Sequence, residues 1–247
     1  MVGVIEIKNL QKNFDAAKVI NDFSMSVIEG TLCCLVGPNG AGKTTTMDLI
    51  TGRLKPTSGE VIFRGDVISG DNEQNIARRG LGRKFQIPSI FKEMTVAQNL
   101  EVAYSLEVGA LRNLFSFSNP QCDERIEEVA DMVGLSDRLS ITAGTLSHGE
   151  TQWLEIGMVL MQDPAVLLLD EPVAGMTEQE IAKTAEILNE LKKKKTLIVV
   201  EHDMGFVRDI ADIVVVMHMG SLLAQGTIEE IEKDQRVRDV YLGTEDH

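Results

Sequence analysis

Residues 37–44 read GPNGAGKT and lie between the apolar run TLCCLV and the stretch KTTTMDLI. Three glycines within six residues let the backbone turn sharply and gather N–H groups around one point. The helix expected over Lys43 to Ile50 starts at once and adds the positive end of its dipole. A turn of this kind is suited to surround an anion. Its spacing, G-x-x-x-x-G-K-[ST] between a buried strand and a helix, is that of a phosphate loop. The candidate nucleotide-binding residues are Gly37, Pro38, Asn39, Gly40, Ala41, Gly42, Lys43, Thr44 and Thr45. Lys43 supplies a point charge near the outer phosphates, and the Thr44 hydroxyl is a candidate magnesium ligand. A chance glycine-rich turn would rarely sit in this strand–loop–helix context.

The rest of the chain agrees with an α/β fold. VIEIKNL and FSMSVI alternate as half-buried antiparallel strands do, and TLCCLV reads as a fully buried one. TGRLKPTSGE is expected to be a loop and VIFRG a short strand. From Met94 to Gln162 the periodicity becomes helical, as in VAQNLEVAYSL and DERIEEVADMVGL, broken by a polar segment around SFSNPQ. After Pro164 come AVLLLD, EQEIAKTAEILNELKKK, TLIVVE and IVVVM, where strands alternate with helix. That order implies a mainly parallel sheet covered on both faces. We read residues 1–247 as one folded unit, with 1–87 and 163–247 as a nucleotide-binding core and 88–162 as an inserted helical lobe.

A net charge of -14 opposes nucleic acid as a partner, because that affinity rests on clustered Lys and Arg. The basic run Lys192 to Lys195 is expected to be a solvated helix end. Cys33, Cys34 and Cys122 fit neither a zinc spacing nor a disulfide framework and are expected to be plain thiols. No apolar run approaches the roughly 18 residues of a membrane span, and the first residues lack a secretory pattern, so a cytosolic location is expected.

Asp170 ends the buried strand AVLLL at the edge where a parallel sheet places its ligands, which makes it the candidate magnesium-side acid. Glu171 follows and is the candidate base for the attacking water. Without the glycine-rich loop, two acids before Pro172 would read equally well as the start of a turn. His202, just past TLIVVE, is placed to hydrogen-bond a terminal phosphate, although a lone histidine is more often structural. LSHGETQ is first a helix start, with Ser147 and Glu150 spaced as a capping box. The same N-terminus, carrying Ser147 and Gly149, is also suited to an anion.

Taken in order, GPNGAGKT, Gln86, LSHGETQ, AVLLLDE and His202 resemble the nucleotide-binding subunits of ABC transporters over the whole chain. The resemblance implies a P-loop NTPase of ABC type: a RecA-like, mainly parallel sheet, N-terminal antiparallel strands and an inserted α-helical subdomain. It implies ATP and Mg2+ as cofactors, with two subunits sandwiching two ATPs. Ser147 and Gly149 would then serve the nucleotide on the partner's phosphate loop. Gln86 resembles the glutamine that ligates magnesium and feels the transporter, and Phe14 the aromatic that stacks on adenine. Implied partners are integral membrane permease subunits, a second ATPase subunit and, indirectly, a periplasmic or extracellular substrate-binding protein, with this chain on the cytoplasmic face of the membrane.

The signature departs from the usual LSGGQ at His148 and Glu150, and Thr177 stands where an aspartate is usual. GRKFQIPSIF, LSHGETQWLEIGM, EPVAGMT and EHDMGFVR look most like the ATPase subunit of bacterial urea transporters, with branched-chain amino-acid ATPases as the next relatives. Urea or a short-chain amide is therefore the expected cargo, and branched-chain amino acids the alternative. Superfamily members of DNA repair or translation usually carry a long coiled-coil insertion or a second ATPase half, and this chain has neither. A non-catalytic nucleotide-binding regulator is disfavoured by Glu171.

Overall fold

The computed structural model describes residues 3–83, 90–108 and 120–242. Two sheets share the molecule. The smaller is antiparallel and contains β1 (Ile5–Phe14), β2 (Ala17–Val27), β4 (Ser58–Phe63) and the two-residue β5 (Asp66–Val67), in the order β2-β1-β4-β5. The larger runs β10-β9-β3-β8-β7-β6, with β3 (Leu32–Val36), β6 (Leu81–Arg83), β7 (Val166–Asp170), β8 (Thr196–Val200), β9 (Ile213–His218) and β10 (Ser221–Gly226). Every pairing in it is parallel except β10 with β9.

The central strands are apolar on both faces because each face meets a different core. On β3, Leu32, Cys34 and Val36 point into a core shared with helices, while Cys33 and Leu35 point into a core shared with the antiparallel sheet. Leu167 and Leu169 against Val166 and Leu168 repeat the alternation on β7. The first core takes α3 (Val96–Val108), α4 (Pro120–Met132), α5 (His148–Leu160), α6 (Glu178–Leu191) and α7 (Met204–Ile210). The second takes α1 (Lys43–Ile50) through Met47, Leu49 and Ile50, and includes Ile76 of α2 (Glu73–Arg78). Short helices α8 (Ile228–Lys233) and α9 (Gln235–Leu242) follow β10.

Some local expectations change. β4 begins at Ser58, inside the segment read as a loop, because Ser58 and Glu60 pair with Gln11 and Lys8 of β1. The basic run is not simply solvated. Lys192 caps the end of α6 and donates to Ile210 O at 3.0 Å and Asp212 at 2.9 Å, Lys193 pairs with Glu190, and Lys195 reaches Asp163 at 2.5 Å. All three cysteines are buried and free. Among the described residues no helix is long and apolar enough to cross a membrane.

Candidate nucleotide site

The glycine-rich loop leaves the carboxyl end of β3 under close steric control. Gly37 adopts φ 154°, and a Cβ there would lie 2.2 Å from Met217 O at the end of β9. Gly42 is the N-cap of α1 at φ 103°, where a Cβ would meet Ile20 Cδ1 at 2.7 Å. A side chain at either position would push the loop off its neighbours, so glycine is required for packing as well as for φ. Ala41 N donates to Pro38 O at 3.1 Å, and Gly220 N donates to Ala41 O at 3.0 Å, which ties the loop to the β9–β10 turn. The result is a cavity of about 210 Å³ walled by residues 39–45, Val19 of β2 and Glu171.

Lys43 is buried, and its Nζ donates to Gly37 O at 2.7 Å and Pro38 O at 3.1 Å. The ammonium is thus held over the mouth of the loop by the loop's own carbonyls. Burial lowers its pKa, opposed by the negative charges of Glu171, Asp170 and Glu201. Thr44 stands on the cavity wall with its side chain exposed. Phe14 is 42% exposed at the end of β1, with Lys12 Nζ 4.9 Å from its ring centroid. It pairs with Ala17, two residues along β2 from the cavity-lining Val19, so an aromatic face stands near the rim.

Asp170 closes β7 and is held by a residue that sequence reasoning missed. Arg83, at the end of β6, donates to Asp48 Oδ1 at 2.5 Å, to Thr51 Oγ1 at 3.3 Å and to Asp170 Oδ2 at 3.4 Å. The other oxygen, Asp170 Oδ1, is buried with no hydrogen-bond partner. Burial raises the Asp170 pKa and the Arg83 guanidinium opposes the rise. A buried carboxylate oxygen without a hydrogen-bond partner, near enough to the phosphate-loop Lys43 to act on its charge, fits a hard cation that takes oxygen ligands. Magnesium therefore suits this donor set. Gln86, the third expected ligand, lies outside the described residues, as does most of GRKFQIPSIF.

Glu171 takes the left-handed φ of 47°, fixed by its N–H donating to Val200 O at 2.9 Å, and this turns its side chain toward the cavity. His202 Nδ1 stands 3.7 Å from Glu171 Oε1 and 3.8 Å from Glu201 Oε2, near both carboxylates yet beyond hydrogen-bond length. Glu201, also missed, is buried; it accepts from His202 N at 3.0 Å and from Val173 N at 3.4 Å. It fastens the loop after Glu171 to the strand end that carries His202. Burial raises its pKa, and the backbone donors, His202 N foremost, resist that.

Ser147 caps α5 in the expected capping box, its Oγ accepting from Glu150 N at 3.1 Å and its N–H donating to Glu150 Oε2 at 2.9 Å. Neither Ser147 nor Gly149 lines the phosphate-loop cavity of its own chain. Trp153 Nε1 donates to Thr184 Oγ1 at 2.9 Å, so α5 is pinned to α6. Arg138 pairs with Glu150 at 3.0 Å.

A family model described as ABC transporter matches residues 20–174. The high-affinity branched-chain amino acid transport ATP-binding protein LivG of Salmonella typhimurium is 35% identical, over 97% of this chain and 98% of LivG. BraF of Pseudomonas aeruginosa, of the same description, is 36% identical over the same shares. The lipopolysaccharide export system ATP-binding protein LptB of Haemophilus influenzae is 29% identical over 98% of both chains. Among solved structures, an ATP-binding cassette of an ABC transporter in its ADP conformation superposes with a TM-score of 0.86 at 31% identity, covering 98% of this chain and 100% of that one.

Proposed function

The chain belongs to the ABC transporter family as an ATP-hydrolysing subunit, and on that premise we propose how its residues divide the work and what the transporter carries. The cavity walled by residues 39–45 takes the phosphates of ATP, with Lys43 leaving its carbonyl partners for the outer phosphates. Phe14 stacks on the adenine. Thr44 and Asp170, with Gln86, would hold Mg2+, which neutralises charge on the phosphate oxygens. Glu171 orients and deprotonates the attacking water, while His202 holds the terminal phosphate. Ser147 and Gly149 face the nucleotide of a second ATPase subunit, and residues 88–162 form the lobe that meets membrane permease subunits on the cytoplasmic face. One observation carries this reading: the Glu171 carboxylate lines the phosphate-loop cavity next along the chain from Asp170, whose inner oxygen lacks a partner.

Glu171→Gln tests it. The variant should retain ATP and trap the closed dimer while turnover falls at least 100-fold, the lower range for a lost general base. Normal turnover would remove Glu171 from the role.

For cargo, we infer an importer of the branched-chain amino-acid class, on the strength of LivG and BraF matching nearly end to end. Urea remains the second reading, favoured by the four phrases noted above, since at 34–36% identity the cargo subclass is free to differ. The cargo touches other subunits, so the test is made on them. The binding protein that copurifies with the transporter is titrated with leucine and with urea, and heat released by one of them decides between the readings.

A further inference from the structure

The N-terminus of α5 already holds an anion, and it comes from the same chain. Glu180 Oε1 accepts from Ser147 Oγ at 2.8 Å and from Gly149 N at 2.9 Å, the two groups assigned above to a partner's nucleotide. Its Oε2 accepts from Thr177 N at 3.0 Å and Thr177 Oγ1 at 2.9 Å. Capping α6 needs only the Oε2 bonds. The Oε1 bonds reach across 33 and 31 residues of chain and are extra to that duty. Gly149 permits them, because a Cβ there would stand 2.6 Å from the Glu180 carboxyl group. Two of the three departures from the usual motifs take part. Thr177 binds the outer oxygen, and His148 Nε2 sits 3.0 Å from Ala174 O, tying the loop between β7 and α6 to α5.

Ser147 has one O–H and Gly149 one N–H, so neither can serve Glu180 and a phosphate oxygen at full strength together. We propose that Glu180 is an internal gate on the reaction: its carboxylate occupies the anion site that the partner's ATP requires, and it must leave Ser147 and Gly149 before the two-subunit sandwich closes. This rests on the reading of Ser147 and Gly149 given above. ADP, which lacks the terminal phosphate, has no group to displace the carboxylate. The gate therefore sharpens the choice of ATP over ADP without touching the phosphate loop.

Glu180→Gln keeps the size and the capping box, since glutamine serves at that position, but removes the charge. Charge-assisted hydrogen bonds are roughly twice as strong as neutral ones, and a change of that size corresponds to about tenfold in an equilibrium. In the assembled transporter the KM for ATP should fall about tenfold. Binding of a fluorescent ATP analogue to the isolated chain should not change, because its phosphate loop is intact. A KM that stays the same or rises overturns the gate, and a rise would mean that Glu180 only supports the fold. Glu180→Asp, which draws the carboxylate back by one methylene, should lower the KM in the same direction should the glutamine variant melt early. Ser147→Ala separates the two levels. If it impairs turnover while both Glu180 variants leave the KM unchanged, the gate alone falls; if it changes nothing, the reading of the signature falls and takes the gate with it.

Discussion

Replacing Arg83 with methionine should cost more stability than any surface change, and the structure sets the size. The Arg83 side chain is 4% exposed, its partner Asp170 1% and Asp48 17%. Removing the guanidinium strands the buried Asp170 carboxylate, at about 3–5 kcal/mol, while Asp48 keeps Arg53 at 3.9 Å. Asp48 can rehydrate at its exposed edge, so the lower end, about 3 kcal/mol, is the expected loss. For a chain of this length 1 kcal/mol moves the midpoint by about 2–4 °C, which gives a fall of about 6–12 °C. Calorimetry without nucleotide measures it. The double variant Arg83→Met with Asp170→Asn should recover about half, because it removes the stranded Asp170 charge. A fall below about 3 °C, or no recovery in the double variant, would show that the pair does not hold the end of β6 against β7.

Gly37→Ala should destabilise by about 2 kcal/mol or more, since the new Cβ is driven onto Met217 O at a φ that other residues rarely adopt; thermal melts and nucleotide titration would both register it. The gate carries a pH prediction. The backbone bond from Thr177 and the side-chain bond from Ser147 hold the Glu180 carboxyl down at about 2, from 4.5 when free. A depressed acid contributes stability above its unfolded pKa and loses it as pH falls from 4.5 toward 2. Between pH 6 and 9 the gate stays charged throughout, so the KM ratio of Glu180→Gln to wild type should be constant. A ratio that drifts toward one at pH 6 would contradict the assignment.

The legible parts of this molecule were those written in contiguous residues. GPNGAGKT and its flanking strand and helix lie within the nineteen residues Leu32–Ile50, and the Ser147–Glu150 capping box spans four. The end of β7 at Asp170 was legible because the apolar run AVLLL stops there. Arg83 was not, since its partners Asp48 and Asp170 lie 35 and 87 residues away. A signal did exist: Asp48 interrupts the apolar face of KTTTMDLI, and an acid there asks for a buried cation. β6 was too short to show a period. Glu180 read as one more acid near a helix start, and its second oxygen's errand to Ser147 depends on α5 and α6 packing together. The cargo was the least legible of all, because no residue of this chain need touch it.

Cys33 and Cys34 are neighbours in the chain and strangers in space. Each faces its own core across the thickness of one strand, and burial pushes the Cys33 thiol up to about 12 and Cys34 well above its ordinary value. β3 is therefore a partition wall. A methyl group added at position 33 would be felt by α1 and the antiparallel sheet behind the phosphate loop, whereas the same methyl at 34 would be felt by the helical layer. Two adjacent codons thus offer separate handles on the nucleotide side and on the helical side of one wall.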